Sequence, residues 1–109
     1  MKTSELTGAA LDWGVALIEK PGIVGVRPDG KLGAAGNLAF SPSTICAQGW
    51  PIIEREGITV GPDTGLDCWV ARIKGGIYID HGPTPLIAAM RCYVASKLGD
   101  DINIPEELK

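Results

Sequence analysis

Hydrophobic positions recur along the chain with two different periods, and the changes between them mark out its elements. From Ala9 to Ile18 the apolar residues Ala9, Ala10, Leu11, Trp13, Val15, Ala16, Leu17 and Ile18 surround a helical axis almost completely, relieved by Asp12, Gly14 and Glu19. This predicts a helix from Thr7 to Glu19, with Thr7 as N-cap, Leu6 and Leu11 as a hydrophobic staple, and Pro21-Gly22 as its end. A helix apolar on nearly all sides is buried by its own domain or by a partner chain. Gly14, about 1 kcal/mol worse than Ala in a helix interior, either admits a close neighbour or is a tolerated loss. Near the other end, Ile87, Met90, Val94 and Leu98 form a stripe at spacings of three and four. Thr84 as N-cap, Pro85 at the first helical position and Gly99 after Lys97-Leu98 bound that second helix. Beyond it, residues 100–109 read as a charged tail, expected to fray.

Period-two alternation falls between these helices. Ile23 to Arg27 predicts a short strand and Pro28 to Lys31 a tight turn, with Leu32 to Phe40 a second short strand or an ordered loop. Ile58-Thr59-Val60 reads as a strand and Gly61 to Gly65 as the turn after it. Leu66 to Ile73 and Ile77 to Asp80, joined by Lys74-Gly75-Gly76, make the clearest hairpin signal in the chain. In the middle, Ser43 is a candidate N-cap for a turn beginning at Thr44. Pro51 then leaves two readings, a helix bent near Gly49-Trp50 or a loop into a short helix. The preferred one is a helix from Trp50 to Glu56 with helical turns before it, stopped by Gly57. The sum is an α+β class: a small antiparallel sheet packed with N-terminal and C-terminal helices, one domain over residues 1–99.

Composition narrows the class further. A chain of 109 residues is one domain by length and can fold without staples. Its 45% hydrophobic content is too high for disorder. A net charge of −3, with cations scattered along the chain, argues against nucleic-acid binding by bulk electrostatics. Cys46, Cys68 and Cys92 form no C-x-x-C pair, so free thiols in a reducing compartment are expected. Each sits among apolar neighbours and reads as a small buried hydrophobe. The N-terminus lacks the apolar run of a signal peptide, and no stretch approaches the roughly 20 apolar residues of a membrane span. A bacterial cytoplasmic location without membrane contact is the expectation.

Several blocks, in order, resemble the NinX-like family of phage and prophage proteins. They are residues 2–13, Ser41-Pro42-Ser43-Thr44, Ala47-Gln48-Gly49, residues 51–56 and residues 82–91. Ile45-Cys46 stands where an acidic-aromatic pair is expected, and Trp50 where a small residue is expected. The resemblance implies a compact α–β–α sandwich and a phage or prophage origin, and it implies no activity.

Candidate chemistry is sparse. Asp80-His81-Gly82-Pro83-Thr84 is where an acid, the sole histidine and a helix start meet. His81 could titrate near neutral pH with an anion at the helix start, or the segment could simply end a strand, turn and cap a helix. Base and nucleophile partners are not evident, which favours the second reading. Arg91 falls inside the apolar stripe, so it snorkels, pairs with a carboxylate such as Asp12 or Glu54, or binds an anionic partner. Ser41, Ser43 and Thr44 lack a G-x-S-x-G elbow and fit turn and cap chemistry. Trp13 and Trp69 read as core, Trp50 beside Pro51 as exposed. The binding candidates are therefore Asp80, His81, Thr84, Arg91 and Trp50, with no catalytic, metal or cofactor residue assigned. A non-enzymatic interaction module is the preferred function, its partner an unidentified protein or a second copy in a homodimer. The alternatives are a nucleic-acid-associated accessory factor and a small hydrolase or transferase using Asp80 and His81.

Overall fold

The computed structural model describes residues 1–19, 25–26, 32–33, 40–73 and 76–108. Its elements are α1 (Gly8–Glu19), β1 (Gly25–Val26), β2 (Leu32–Gly33), α2 (Cys46–Glu56), β3 (Thr59–Asp63), β4 (Cys68–Ile73), β5 (Tyr78–Gly82) and α3 (Pro85–Leu98). Short 3-10 turns lie at Thr3–Glu5 and Glu106–Leu108. The expected turns at Pro28 to Lys31 and Lys74-Gly75, and the Pro21-Gly22 stop, lie outside the described residues.

Helix α3 is the centre of the molecule. One side packs on β4 and β5, and the other receives α1 and α2. Its ends match the expected signals. Thr84 Oγ1 accepts from the Ile87 N–H at 3.1 Å, Pro85 begins the helix, and Gly99 ends it at φ 91°. Ala88, Ala89, Met90, Cys92 and Val94 are fully buried, while Leu98 at the end of the predicted stripe is 37% exposed. The sheet is antiparallel in the order β3-β4-β5, and β1 and β2 form a separate antiparallel ribbon. This is an α+β fold with helices from both ends of the chain, layered as sheet, α3, then α1 with α2.

The apolar circumference of α1 is largely accounted for within the chain: Leu11, Val15, Ala10, Ala16 and Gly14 are buried, and Leu17 is exposed. Leu6 joins Leu11 in the core as the staple predicts. Gly14 admits close neighbours, since a Cβ there would lie 3.1 Å from Ile102 Cδ1 and 3.2 Å from Val94 Cγ1.

Four local expectations are corrected. Residues Cys46 to Glu56 form one helix with Pro51 inside it. The N–H that proline lacks would have reached the carbonyl of Ala47, an exposed residue on the outer side of the helix start. Gly57, left-handed at φ 64°, closes the helix as expected. Strand β3 continues through Gly61 and Pro62 to Asp63, and the turn comes at residues 64–67. Pro62 is tolerated because β3 is an edge strand. Strand β5 likewise runs past Asp80 through His81 to Gly82. Finally, the segment after Gly99 is tied down rather than frayed. The Asp100 carbonyl accepts the Thr3 N–H at 2.8 Å, the Met1 carbonyl accepts the Ile102 N–H at 3.0 Å, and Ile102, Ile104 and Leu108 are buried.

Candidate functional site

The candidate site is a groove of about 440 Å³ between the starting ends of α2 and α3. Ser43, Thr44, Cys46 and Trp50 line it on one side, and Thr84, Pro85, Leu86 and Ile87 on the other. No charged residue is among them. Its left wall is set by the turn before α2. Buried Asp12 of α1 accepts the Ser43 N–H at 2.9 Å, and Gln48 Oε1 accepts the Ser41 N–H at 2.6 Å. Ser43 therefore anchors the turn to α1 instead of capping a helix, since the α2 N-cap is Ile45 with no side-chain cap. The Ser43 hydroxyl lies near the same carboxylate without making a hydrogen bond of sound geometry. Burial pushes the Asp12 carboxyl above the ordinary range, and Ser43 opposes this.

Gly49 brings the two walls together. A Cβ at this position would lie 2.3 Å from the Pro42 carbonyl oxygen and 2.7 Å from Leu86 Cδ2, so only glycine allows α2 to sit this close. The next residue, Trp50, stands 47% exposed at the rim, its indole N–H donated to Glu54 Oε1 at 2.7 Å. The groove thus unites two of the sequence candidates, Trp50 and Thr84.

The other three candidates lie elsewhere. Asp80 and His81 are consecutive in a strand, so their side chains leave opposite faces of the sheet. Among the described residues the Asp80 carboxyl accepts the backbone N–H of His81, at 3.1 Å. Burial raises its pKa, with Arg91 and His81 opposing and Asp100 adding to the rise. His81 Nε2 reaches Asp63 Oδ2 of β3 at 3.1 Å on the open face. Arg91 pairs with neither Asp12 nor Glu54. It donates to two backbone carbonyls, Leu6 at 2.8 Å and His81 at 2.9 Å, and burial lowers its pKa against the pull of Asp80. Asp80 lines a hollow with Thr3 and Ser4 of the N-terminal turn, and neither His81 nor Arg91 lines that hollow.

The thiols differ from one another. Cys92 is buried as expected and donates toward the Tyr78 carbonyl at 3.3 Å, and burial pushes its pKa up to about 11. Cys68 is half-buried, and Cys46 is exposed at the groove, against the expectation of a small buried hydrophobe. Sequence reasoning passed over Cys46, Leu86 and Ile87 as site residues because they come together only when α2 and α3 pack. The signals that pointed here were Trp50 beside Pro51 and the helix cap Thr84.

Comparison with known proteins comes down on one side. The family model described as Bacteriophage P22, NinX matches residues 2–97. No curated protein matches the chain. Among the described residues, no helix is long and apolar enough to cross a membrane.

Proposed function

The chain belongs to the family described as Bacteriophage P22, NinX, and on that premise we propose that it is a non-enzymatic interaction module which takes a protein partner at the α2–α3 groove. A phage-derived accessory protein is what the family supports; the docking role, in the cytoplasm of a bacterial host, is our reading. The observation that carries it is the half-exposed Trp50 on the rim of an uncharged apolar groove. Tryptophan is enriched among residues that dominate binding, and concave apolar sites are the usual places for a ligand. Nothing comparable supports catalysis by Asp80 and His81, whose side chains diverge across the sheet.

The test is affinity capture from host cells during infection or prophage induction, using the wild-type chain, Trp50→Ala and Arg72→Ala. Arg72 lies on the open sheet face, away from the groove. A partner recovered with wild type and Arg72→Ala but lost with Trp50→Ala, and then bound in purified form, supports the reading. Equal recovery with all three removes the groove from the account. Sedimentation of the purified chain decides whether the partner is a second copy.

A further inference from the structure

We propose that a hollow at the end of the sheet takes an arginine side chain of the partner that docks in the adjoining groove, an inference that rests on the groove being the docking face. The hollow measures about 220 Å³ and is walled by Trp69, Pro62 and Pro83 together with Asp63 and Asp67. The strand ladder explains its shape. Trp69 stands between Pro62 of β3 and Gly82 of β5, in the last row toward the β3-β4 turn that all three strands share. Gly82 adds no side chain to that row, since a Cβ there would lie 2.7 Å from the backbone N of Ala88 in α3. The indole therefore has a proline on one side and no side chain on the other, and it stays half-buried.

The walls hold two carboxylates and no cation. Asp63 is already engaged by His81 and by the N–H groups of Gly65 and Leu66. Asp67 is exposed and has neither a hydrogen bond nor an ion pair among the described residues. An exposed carboxylate alone is ordinary surface. The independent feature is the indole in the same hollow, because the negative face of an aromatic ring attracts a cation by itself. A hydrated metal ion would leave Trp69 and both prolines wet. An apolar side chain would cover them and desolvate Asp67 without a partner. A guanidinium meets both demands, being planar and weakly hydrated, so that it stacks on an indole while its edge donates to a carboxylate. The ammonium of lysine is compact and strongly hydrated, and it stacks less well.

Continuity and charge assign this cation to the partner of the groove. Pro83 walls the hollow and Thr84, the next residue, walls the groove, so the two adjoin along the chain. The groove itself carries no charge and gives no electrostatic preference between partners. The hollow supplies one, for a partner that bears arginine beside its apolar anchor. Charge pairs at the edge of an apolar contact act in this way, setting partner choice and encounter rate more than affinity. The net charge of −3 on the whole chain draws the same sign of partner.

The experiment is an NMR titration of the full chain, read at the backbone amides and the indole N–H groups. Its probes are N-acetyl-arginine amide, N-acetyl-citrulline amide, N-acetyl-lysine amide and tetramethylammonium chloride. Arginine should shift the Trp69 indole and the Asp67 and Cys68 amides saturably at tens of millimolar concentration. It should bind severalfold more tightly than citrulline, which has the same shape and no charge. Asp67→Asn should weaken arginine binding about threefold. Asparagine accepts the left-handed backbone that Asp67 holds at φ 53°, so the turn is kept. Equal binding of arginine and citrulline overturns the cation. Tighter binding of lysine or tetramethylammonium overturns guanidinium as the occupant. An unchanged affinity in Asp67→Asn, or no shift at Trp69 with any probe, overturns the site outright. These probes are too small to need the groove, so their outcome is separate from the fate of Trp50→Ala in the capture experiment. If arginine binds but Asp67→Asn captures the groove's partner as well as wild type does, the link between hollow and groove is overturned.

Discussion

His81 and Asp63 are hydrogen-bonded at 3.1 Å across the full width of a three-stranded sheet, from one edge strand to the other. His81 stands opposite Val70 in the register and Asp63 opposite Cys68, so the bond lies over the middle strand. Val70 is only 6% exposed even though it belongs to the face away from α3. The other oxygen of Asp63 accepts the Gly65 and Leu66 N–H groups, which holds the carboxylate in place. Because both side chains remain partly exposed, at 43% and 28%, the pair contributes little, up to about 1 kcal/mol. His81→Ala and Asp63→Asn should each cost about that much or less in chemical denaturation, with a small coupling in the double variant. A loss of several kcal/mol from His81→Ala alone contradicts the surface-bridge account.

Arg91 should matter far more than His81. Its guanidinium joins the Leu6 carbonyl, just before α1, to the His81 carbonyl of β5, and so pins two distant segments to α3. Arg91→Ala removes both donors and leaves two partly buried carbonyls short of a partner, at about 1–3 kcal/mol. Arg91→Lys keeps the charge but lacks the planar fork that serves two carbonyls together, and should fall between. An Arg91→Ala chain with an unchanged melting temperature would falsify the structural role.

How much of this could be read in advance depends on how far each interaction reaches along the chain. The limits of α3 were legible because Thr84, Pro85 and Gly99 act within one turn. The hairpin was legible because alternation on both sides of a glycine pair is local. Arg91 stood out as a cation in an apolar stripe, but its acceptors are backbone carbonyls, which leave no mark on residue identity. Asp63 lies 18 residues from His81 and meets it only through the strand register. Pro51 argued against a continuous helix because the exposure of Ala47, one turn before it, is decided by packing. The groove was illegible except for Trp50 and Thr84, since its walls come from two helices separated in the chain by the whole sheet.

Asp12 makes a pH prediction with a definite sign. Burial raises its pKa in the folded chain, so the folded state holds the proton more tightly than the unfolded state. A raised folded pKa gives a contribution that is fully present below the unfolded value and is lost as pH rises through the folded one. The relevant window therefore starts at the ordinary carboxylate range and extends upward. Asp12→Asn keeps an oxygen to accept the Ser43 N–H and abolishes the titration. Denaturation of wild type and Asp12→Asn across this window should give a difference that moves in favour of Asn as pH rises, then levels off. A flat difference contradicts the buried carboxyl. Asp80, which is also raised, cancels in the comparison.

Thiol reactivity should separate the three cysteines in the folded chain. Cys46 is exposed, Cys68 is half-buried, and Cys92 is buried with its pKa pushed up to about 11. Since the thiolate is the reacting form, alkylation near pH 8 should label Cys46 first and Cys92 only on unfolding. Peptide mapping after timed iodoacetamide exposure reads the order. Early labelling of Cys92 at native conditions would mean that α3 does not pack on β5 as described.

The segment after Gly99 offers the sharpest test of the core. Its four acids and terminal lysine read as a solvated tail, yet Ile102, Ile104 and Leu108 are buried at 9%, 7% and 8% exposure among them. Each such side chain contributes up to about 1.5–3 kcal/mol on full burial, against a total stability of about 5–15 kcal/mol for a domain. Ile102 also fills the space beside Gly14, where Val94 of α3 lies against α1. Ending the chain after Asp101 should therefore lower the denaturation midpoint severely or leave the protein unfolded. Ile102→Ala in the full chain should cost about 2–5 kcal/mol, which separates lost packing from lost charge. A solvated tail predicts the opposite, an unchanged midpoint for both, because nothing in water is lost when it is removed.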